Sequence, residues 1–192
     1  MERHKYNPDK HHRRSIRLPK HDYTTPGAYY VTVGANKRQF IFGDIIDGIM
    51  HPNFVGKTVK AVWYRLPQHF KNVTLDAFVI MPNHLHGIII LNDNNWQRSP
   101  QKKSPTLNGT KPGSLSAIVQ NFKSLSSRQV NGILKSSGTI WQSNFYEHIP
   151  RNEGSLNRIR QYILDNPKNW ENDKENPTYR RCRGNSIRGT NY

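Results

Sequence analysis

The sequence predicts an α+β domain, an antiparallel sheet with helices packed on it. Three observations lead there. Aromatic and β-branched runs read as strands at residues 28–33 and 76–91. Residues 54–66, 114–125 and 153–166 carry apolar side chains at helical spacing. The two kinds of segment interleave along the chain with no internal repeat.

The elements follow in order. Residues 1–26 form a basic N-terminal arm, where Arg3, Lys5, Lys10, Arg13, Arg14, Arg17 and Lys20 outnumber Glu2, Asp9 and Asp22. Such a run fits a solvated arm or one that holds nucleic acid. Pro26 and Gly27 turn the chain into the first strand. Residues 40–48, with Gly43 and Gly48, read as a short strand or hairpin. Val55, Val59, Val62, Trp63 and Leu66 mark a helix that Pro67 should end. The strand at 76–91 follows. Residues 92–113 are polar, hold Pro100, Pro105 and Pro112, and read as a long loop. Ser114 caps a second helix with Leu115, Ile118, Val119, Phe122 and Leu125 as its buried stripe. Residues 139–141 and 145–149 look extended. Asn152 caps a third helix whose apolar face is Leu156, Ile159 and Ile163, with Pro167 beyond its end. The domain spans 27–170, and 171–192 is a basic tail with Arg180, Arg181, Arg183 and Arg188. This order fits a ferredoxin-like, RRM-like sheet with helices on one face.

Composition narrows the partner. Lys and Arg number 29 against 13 Asp and Glu, for a formal charge of +16. Such a balance favours a polyanion, either nucleic acid or an anionic membrane surface. No apolar run approaches the roughly 20 residues that span a bilayer. The N-terminus has no apolar signal core, and no long basic amphipathic helix is present, so no membrane partner is expected. Cys182 is the only cysteine, which rules out a disulfide framework and a thiolate metal cluster. A cytoplasmic protein is expected. Four Trp, nine Tyr and seven Phe offer faces on which unpaired bases can stack.

His84-Leu85-His86 sits in the apolar run 76–91. Side chains alternate faces on a strand, so both histidines point one way and Leu85 points to the core. Their Cα atoms would lie about 6.5 Å apart, from a rise of about 3.3 Å per residue. Two imidazoles at that spacing can converge on one divalent cation. The same pair also fits two hydrogen-bonded or solvent-facing histidines.

Tyr162 and Asn166 are four residues apart on the third helix and so share a face. They fit a core tyrosine and an ordinary Asn-Pro helix end. They equally fit a nucleophile and a metal ligand. A tyrosine hydroxyl can form a covalent intermediate. A cation on two imidazoles and an amide oxygen could polarise a phosphodiester. Nitrogen and oxygen donors suit Mg²⁺ or Mn²⁺, and two histidines also permit Zn²⁺. Arg151, Arg158 and Arg160 flank this helix face and read as phosphate contacts or as a solvated surface. Glu147 and His148 offer groups for proton transfer, or form an exposed charged pair at a strand end. Tyr29, Tyr30 and Tyr146 read as packing or base-stacking residues.

Met81-Pro82-Asn83-His84-Leu85-His86 together with Tyr162…Asn166-Pro167 forms a specific pattern. With Arg13-Arg14-Ser15-Ile16-Arg17-Leu18-Pro19, Pro26-Gly27-Ala28-Tyr29-Tyr30 and Trp141-Gln142…Glu147-His148, it resembles the IS200-like tyrosine transposases. The resemblance covers most of residues 13–170 and favours the REP-associated branch. That group lies within the HUH endonucleases, named for His-hydrophobic-His. The resemblance implies the HUH pair on a central strand. It implies His84, His86 and Asn166 as ligands of Mg²⁺ or Mn²⁺, and Tyr162 as the nucleophile that takes a DNA 5′ phosphate. It implies single-stranded hairpin DNA as substrate, with Arg13, Arg14, Arg17, Lys20, Arg151 and Arg158 as candidate DNA contacts. A monomer is expected from the REP-associated branch, with a shared-site dimer as the alternative. The competing reading is a module of this fold that binds hairpin DNA or RNA without cutting it.

Overall fold

A computed structural model describes residue 18, residues 21–93 and residues 110–177. Strands β1 (Gly27–Gly34), β4 (Val73–Met81), β5 (His84–Leu91) and β6 (Tyr146–His148) form one antiparallel sheet in the order β4-β5-β1-β6. Strands β2 (Gly43–Ile46) and β3 (Ile49–Pro52) pair as a separate ribbon. The helices are α1 (Phe54–Tyr64), the short α2 (Leu66–His69), α3 (Leu115–Leu134) and α4 (Glu153–Asp165). The α+β class read from the sequence is the architecture found.

Two expectations about the strands and helices change. The run 76–91 is two strands, because the chain reverses at Pro82 and Asn83. Pro82 has no N–H for a ladder. Its carbonyl instead accepts from the Ile41 and Phe42 amides at 3.0 and 3.1 Å. The helix expected to run to Leu66 ends at Tyr64, and Pro67 sits in the first turn of α2, where its missing N–H costs nothing.

The helices cover both faces of the sheet rather than one. Tyr29, Val31 and Val33 of β1 and Leu85, Ile89 and Leu91 of β5 pack with Trp63 of α1 and with Ile118 and Phe122 of α3. The opposite face carries Tyr30 and Ile88, and there Leu156 and Ile163 of α4 cover it. The continuous apolar run Ile88-Ile89-Ile90-Leu91 carries the reason, since a strand buried on both faces has no polar alternation.

Caps fix the helix starts. Asn53, Ser114 and Asn152 each accept from the backbone amide three residues on. Arg160 ties α4 to β4: its Nε and Nη2 reach Asp76 Oδ2 at 2.8 and 2.7 Å, and its Nη1 reaches Glu153 Oε1 and Asn157 Oδ1 at 2.6 Å. The phosphate contact read for Arg160 therefore gives way to an internal ion-pair network. Of the predicted loop 92–113, residues 94–109 lie outside the described residues.

Gly87 follows the histidine pair because Trp63 lies directly beneath it. A Cβ there would stand 2.3 Å from the Trp63 ring. Gly87→Ala is expected to destabilise the fold by about 1–3 kcal/mol through overpacking. Urea unfolding measures it, and Trp63→Leu in the same chain should recover part of the loss. A Gly87→Ala protein as stable as the parent would contradict this packing.

Candidate metal and nucleophile site

β5 places His84 and His86 on the α4 side of the sheet and Leu85 in the opposite core. Both imidazoles are buried, and their Nε2 atoms stand 2.9 Å apart. The back of each ring is tied down. Asn83 gives its amide hydrogen to the Glu175 carbonyl at 2.8 Å, so its Oδ1 is the atom facing His84 Nδ1 at 2.7 Å. An acceptor there means that Nδ1 carries the ring hydrogen and Nε2 offers a bare lone pair. His86 Nδ1 lies between the hydroxyls of Tyr30 at 2.7 Å and Thr32 at 2.9 Å.

Both rings are held neutral. Burial pushes His84 well below the usual imidazole range, with His86 and Arg38 adding to the effect. Burial alone takes His86 down to about 3. Neutral imidazole is the form that ligates metal.

Two oxygens complete the group. Asp173 follows the 3₁₀ turn Trp170–Asn172, and its Oδ1 accepts from the Glu175 amide at 2.7 Å. Its Oδ2 lies 3.7 Å from His84 Nε2 and is buried with no hydrogen-bond partner among the described residues. Burial raises the Asp173 carboxyl above its usual range; the Glu175 carboxylate adds to this, and the Glu175 amide and Arg38 oppose it. Donor atoms of His84, His86 and Asp173 all lie within 4.8 Å of one another. Asn166, buried at the C-terminal end of α4, also has an Oδ1 with no hydrogen-bond partner among the described residues. Orphaned buried oxygens beside facing imidazole nitrogens are costly without a common partner. The residues fit a divalent cation, and their nitrogen and oxygen donors suit Mg²⁺, Mn²⁺ or Zn²⁺.

Tyr162 stands at the edge of this group. Its ring lies edge-on to His86 at 5.4 Å and to Tyr30 at 6.3 Å, and half of the residue is exposed. Burial of the rest raises its phenol above the ordinary value; the Asp173 carboxylate adds to this, and Asn166 and Tyr30 oppose it. Tyr162, His86, Asn166 and Asp173 all border one cavity of 690 Å³.

Sequence reasoning missed Asp173. It fell in the segment assigned to the tail, 171–192, yet residues up to 177 fold back onto the domain. Glu175 pairs with Arg38 and accepts from Asn83, which brings Asp173 to the histidines. No local pattern marks that acid. Glu147 differs from its expected place. It is buried on the other side of β6, where Tyr23 donates to it at 2.6 Å, so it is turned from the cavity. His148 is exposed opposite Tyr30. Arg158 is exposed on α4, and Arg151 is exposed just before its Asn152 cap. Arg13, Arg14, Arg17 and Lys20 lie outside the described residues.

No protein-family model matches the chain. It is 38% identical over 178 residues to an uncharacterized protein of Haemophilus influenzae, covering 88% of this chain and 96% of that one. The chain belongs to that protein's family. Among solved structures, the family member described here is similar to a REP-associated tyrosine transposase bound to a REP hairpin. The TM-score is 0.51 at 18% identity, over 79% of this chain and 72% of the other. That likeness is one of fold.

The tautomer argument gives a direct test. Asn83→Ala removes the acceptor that holds the His84 hydrogen on Nδ1, and Mn²⁺ affinity should fall roughly 10- to 100-fold. Titration calorimetry reads it. His84→Ala with His86→Ala should leave no measurable site. Wild-type affinity in Asn83→Ala would disprove the assigned tautomer control.

Proposed function

We propose that this protein is a metal-dependent endonuclease and strand transferase of the HUH type. It acts on single-stranded hairpin DNA through a phosphotyrosine at Tyr162. The carrying observation is that neutral His86, the orphaned oxygens of Asn166 and Asp173 and the half-exposed Tyr162 border one cavity, with His84 Nε2 2.9 Å from His86 Nε2. The fold shared with a hairpin-bound transposase supports it, as does the +16 charge.

His84, His86 and Asp173 would hold the cation, with Asn166 as a further ligand. A bound divalent ion there supplies charge neutralisation at a phosphodiester oxygen. Tyr162 does the bond-making. Its hydroxyl oxygen attacks phosphorus, the Tyr–O–P bond forms, and the bond from phosphorus to the 3′ oxygen breaks. The phenol proton leaves to the open cavity, and the departing oxygen takes up a proton to become a free 3′ hydroxyl. Attack by such a hydroxyl on the phosphotyrosine would reverse the step and rejoin strands. Asn166 sits one helical turn from Tyr162 and works against the burial that keeps the phenol protonated.

The role of Mg²⁺ or Mn²⁺ and the monomeric state belong to this same reading, as does action in the prokaryotic cytoplasm. No helix among the described residues is long and apolar enough to cross a membrane.

Tyr162→Phe removes one hydroxyl at a half-exposed position, so hairpin binding should be largely unchanged. Cleavage and covalent adduct should both vanish, because no other group replaces the nucleophile. A labelled hairpin with Mn²⁺, denaturing electrophoresis and peptide mapping read the result. Tyr146→Phe should keep the adduct. An adduct that persists in Tyr162→Phe would refute the assignment.

Deleting residues 1–20 removes seven Lys and Arg. Hairpin affinity should drop, and its dependence on salt should flatten by counterion release. A titration at several salt concentrations checks both, and an unchanged slope would exclude the arm from binding.

A further inference from the structure

The 690 Å³ cavity is bordered by His86, Tyr162, Asn166 and Asp173 and also by Tyr146, Asn169 and Asn172, whose side chains the chemistry above does not use. Tyr146 forms one wall. It pairs across the ladder with Thr32, and Thr32 pairs with His86, so the three stand in one row on the same face. Two strand spacings put Tyr146 roughly 10 Å from His86. Tyr146 is 52% exposed on the edge strand, and no side-chain hydrogen bond holds its hydroxyl among the described residues.

Asn169 and Asn172 line the same cavity. Asn169 caps the 3₁₀ turn that ends at Asn172. Residues three apart on such a turn eclipse one another, so both amides lie on one side of it. Asn169 gives one amide hydrogen to the Asp165 carbonyl at 3.1 Å, which steadies it. The Asn172 side chain makes no hydrogen bond among the described residues. A primary amide presents a donor and an acceptor side by side, which matches the edge of a nucleobase. Asp173, Lys174 and Glu175 border the same cavity, so an occupant beside the two amides meets charges of both signs.

We propose that the part of this cavity lined by Tyr146, Asn169 and Asn172 is a pocket for one unpaired nucleobase, stacked on Tyr146 and read at its edge by the two amides. The proposal rests on the DNA-processing reading and adds to it a residue-level source of sequence preference. A duplex hides both the face and the edge of each base, so the pocket admits only an unpaired one. The base would lie beside the phosphate bound at the histidines, and its identity would set which bond reaches Tyr162.

The test uses the full chain without metal, so binding is read apart from cleavage. The probe is a DNA hairpin with a single-stranded flank that carries 2-aminopurine at each flank position in turn. Stacking on Tyr146 should quench the fluorescence at one position. Tyr146→Ala should abolish that quench, Tyr146→Phe should restore it, and Tyr64→Ala, an exposed tyrosine on α1, should leave it unchanged. At the same position, hairpins with each of the four bases should differ about fivefold or more in affinity. Asn172→Ala and Asn169→Ala should each shrink that spread. Bound hairpin with no quenched position, or a quench indifferent to Tyr146→Ala, overturns the pocket. A spread that survives both Asn variants overturns the reading role. Cleavage that proceeds while all these variants are silent leaves the proposed function standing and the pocket refuted. A clear quench without any cleavage in Mn²⁺ does the reverse, and failure to bind the hairpin at all removes both.

Discussion

Two imidazole nitrogens held 2.9 Å apart in a buried site constrain the rest of the molecule. His84 meets its neighbour with a lone pair, because Asn83 Oδ1 requires the hydrogen on the far side of the ring. Asn83 can do this only because its own amide is committed to the Glu175 carbonyl. The turn between β4 and β5, the segment around Glu175 and the facing imidazole nitrogens therefore form one hydrogen-bonded unit. The Tyr30 and Thr32 hydroxyls of β1 hold the far nitrogen of His86. Burial keeps both rings neutral, so ligand readiness follows from packing rather than from a nearby base.

The helix that carries Tyr162 has little apolar surface of its own, and only Leu156 and Ile163 of α4 are buried. A helix so lightly packed needs other restraints to hold its angle over the sheet. Arg160 provides one, through its two contacts to Asp76 on β4. The surface pair with Glu153 adds little by comparison, since Glu153 is solvent-exposed. The phase of the helix then does the rest. Ile163 faces the sheet, Tyr162 beside it reaches the rim, and Asn166 one turn on is buried at the end. Neighbouring residues thus line the core and the cavity at once.

Charge is distributed with a similar division. The whole chain is strongly basic, yet Asp173 and Glu175 border the cavity. General affinity for a polyanion and local selection within the site are then separate properties. The basic excess draws in a phosphate backbone from any direction.

The sequence by itself determined what depends on local periodicity. The caps Ser114 and Asn152, the first strand, the shared face of His84 and His86, and the four-residue spacing of Tyr162 and Asn166 all follow from backbone geometry over a few residues. Tertiary structure decided what depends on which elements meet. Nothing near Asp173 marks it as a neighbour of His84; a fold-back held by Arg38 and Asn83 puts it there. Nothing near Arg160 marks Asp76 as its partner, 84 residues away. Glu147 and Tyr146 are adjacent in sequence, yet pairing of β6 with β1 sends one to the core side and the other to the cavity. Strand alternation says that they must differ, and only the register against Val31 and Thr32 says which goes where. Local rules assign faces to an element, while the choice of what each face meets rests on turns and long-range pairing.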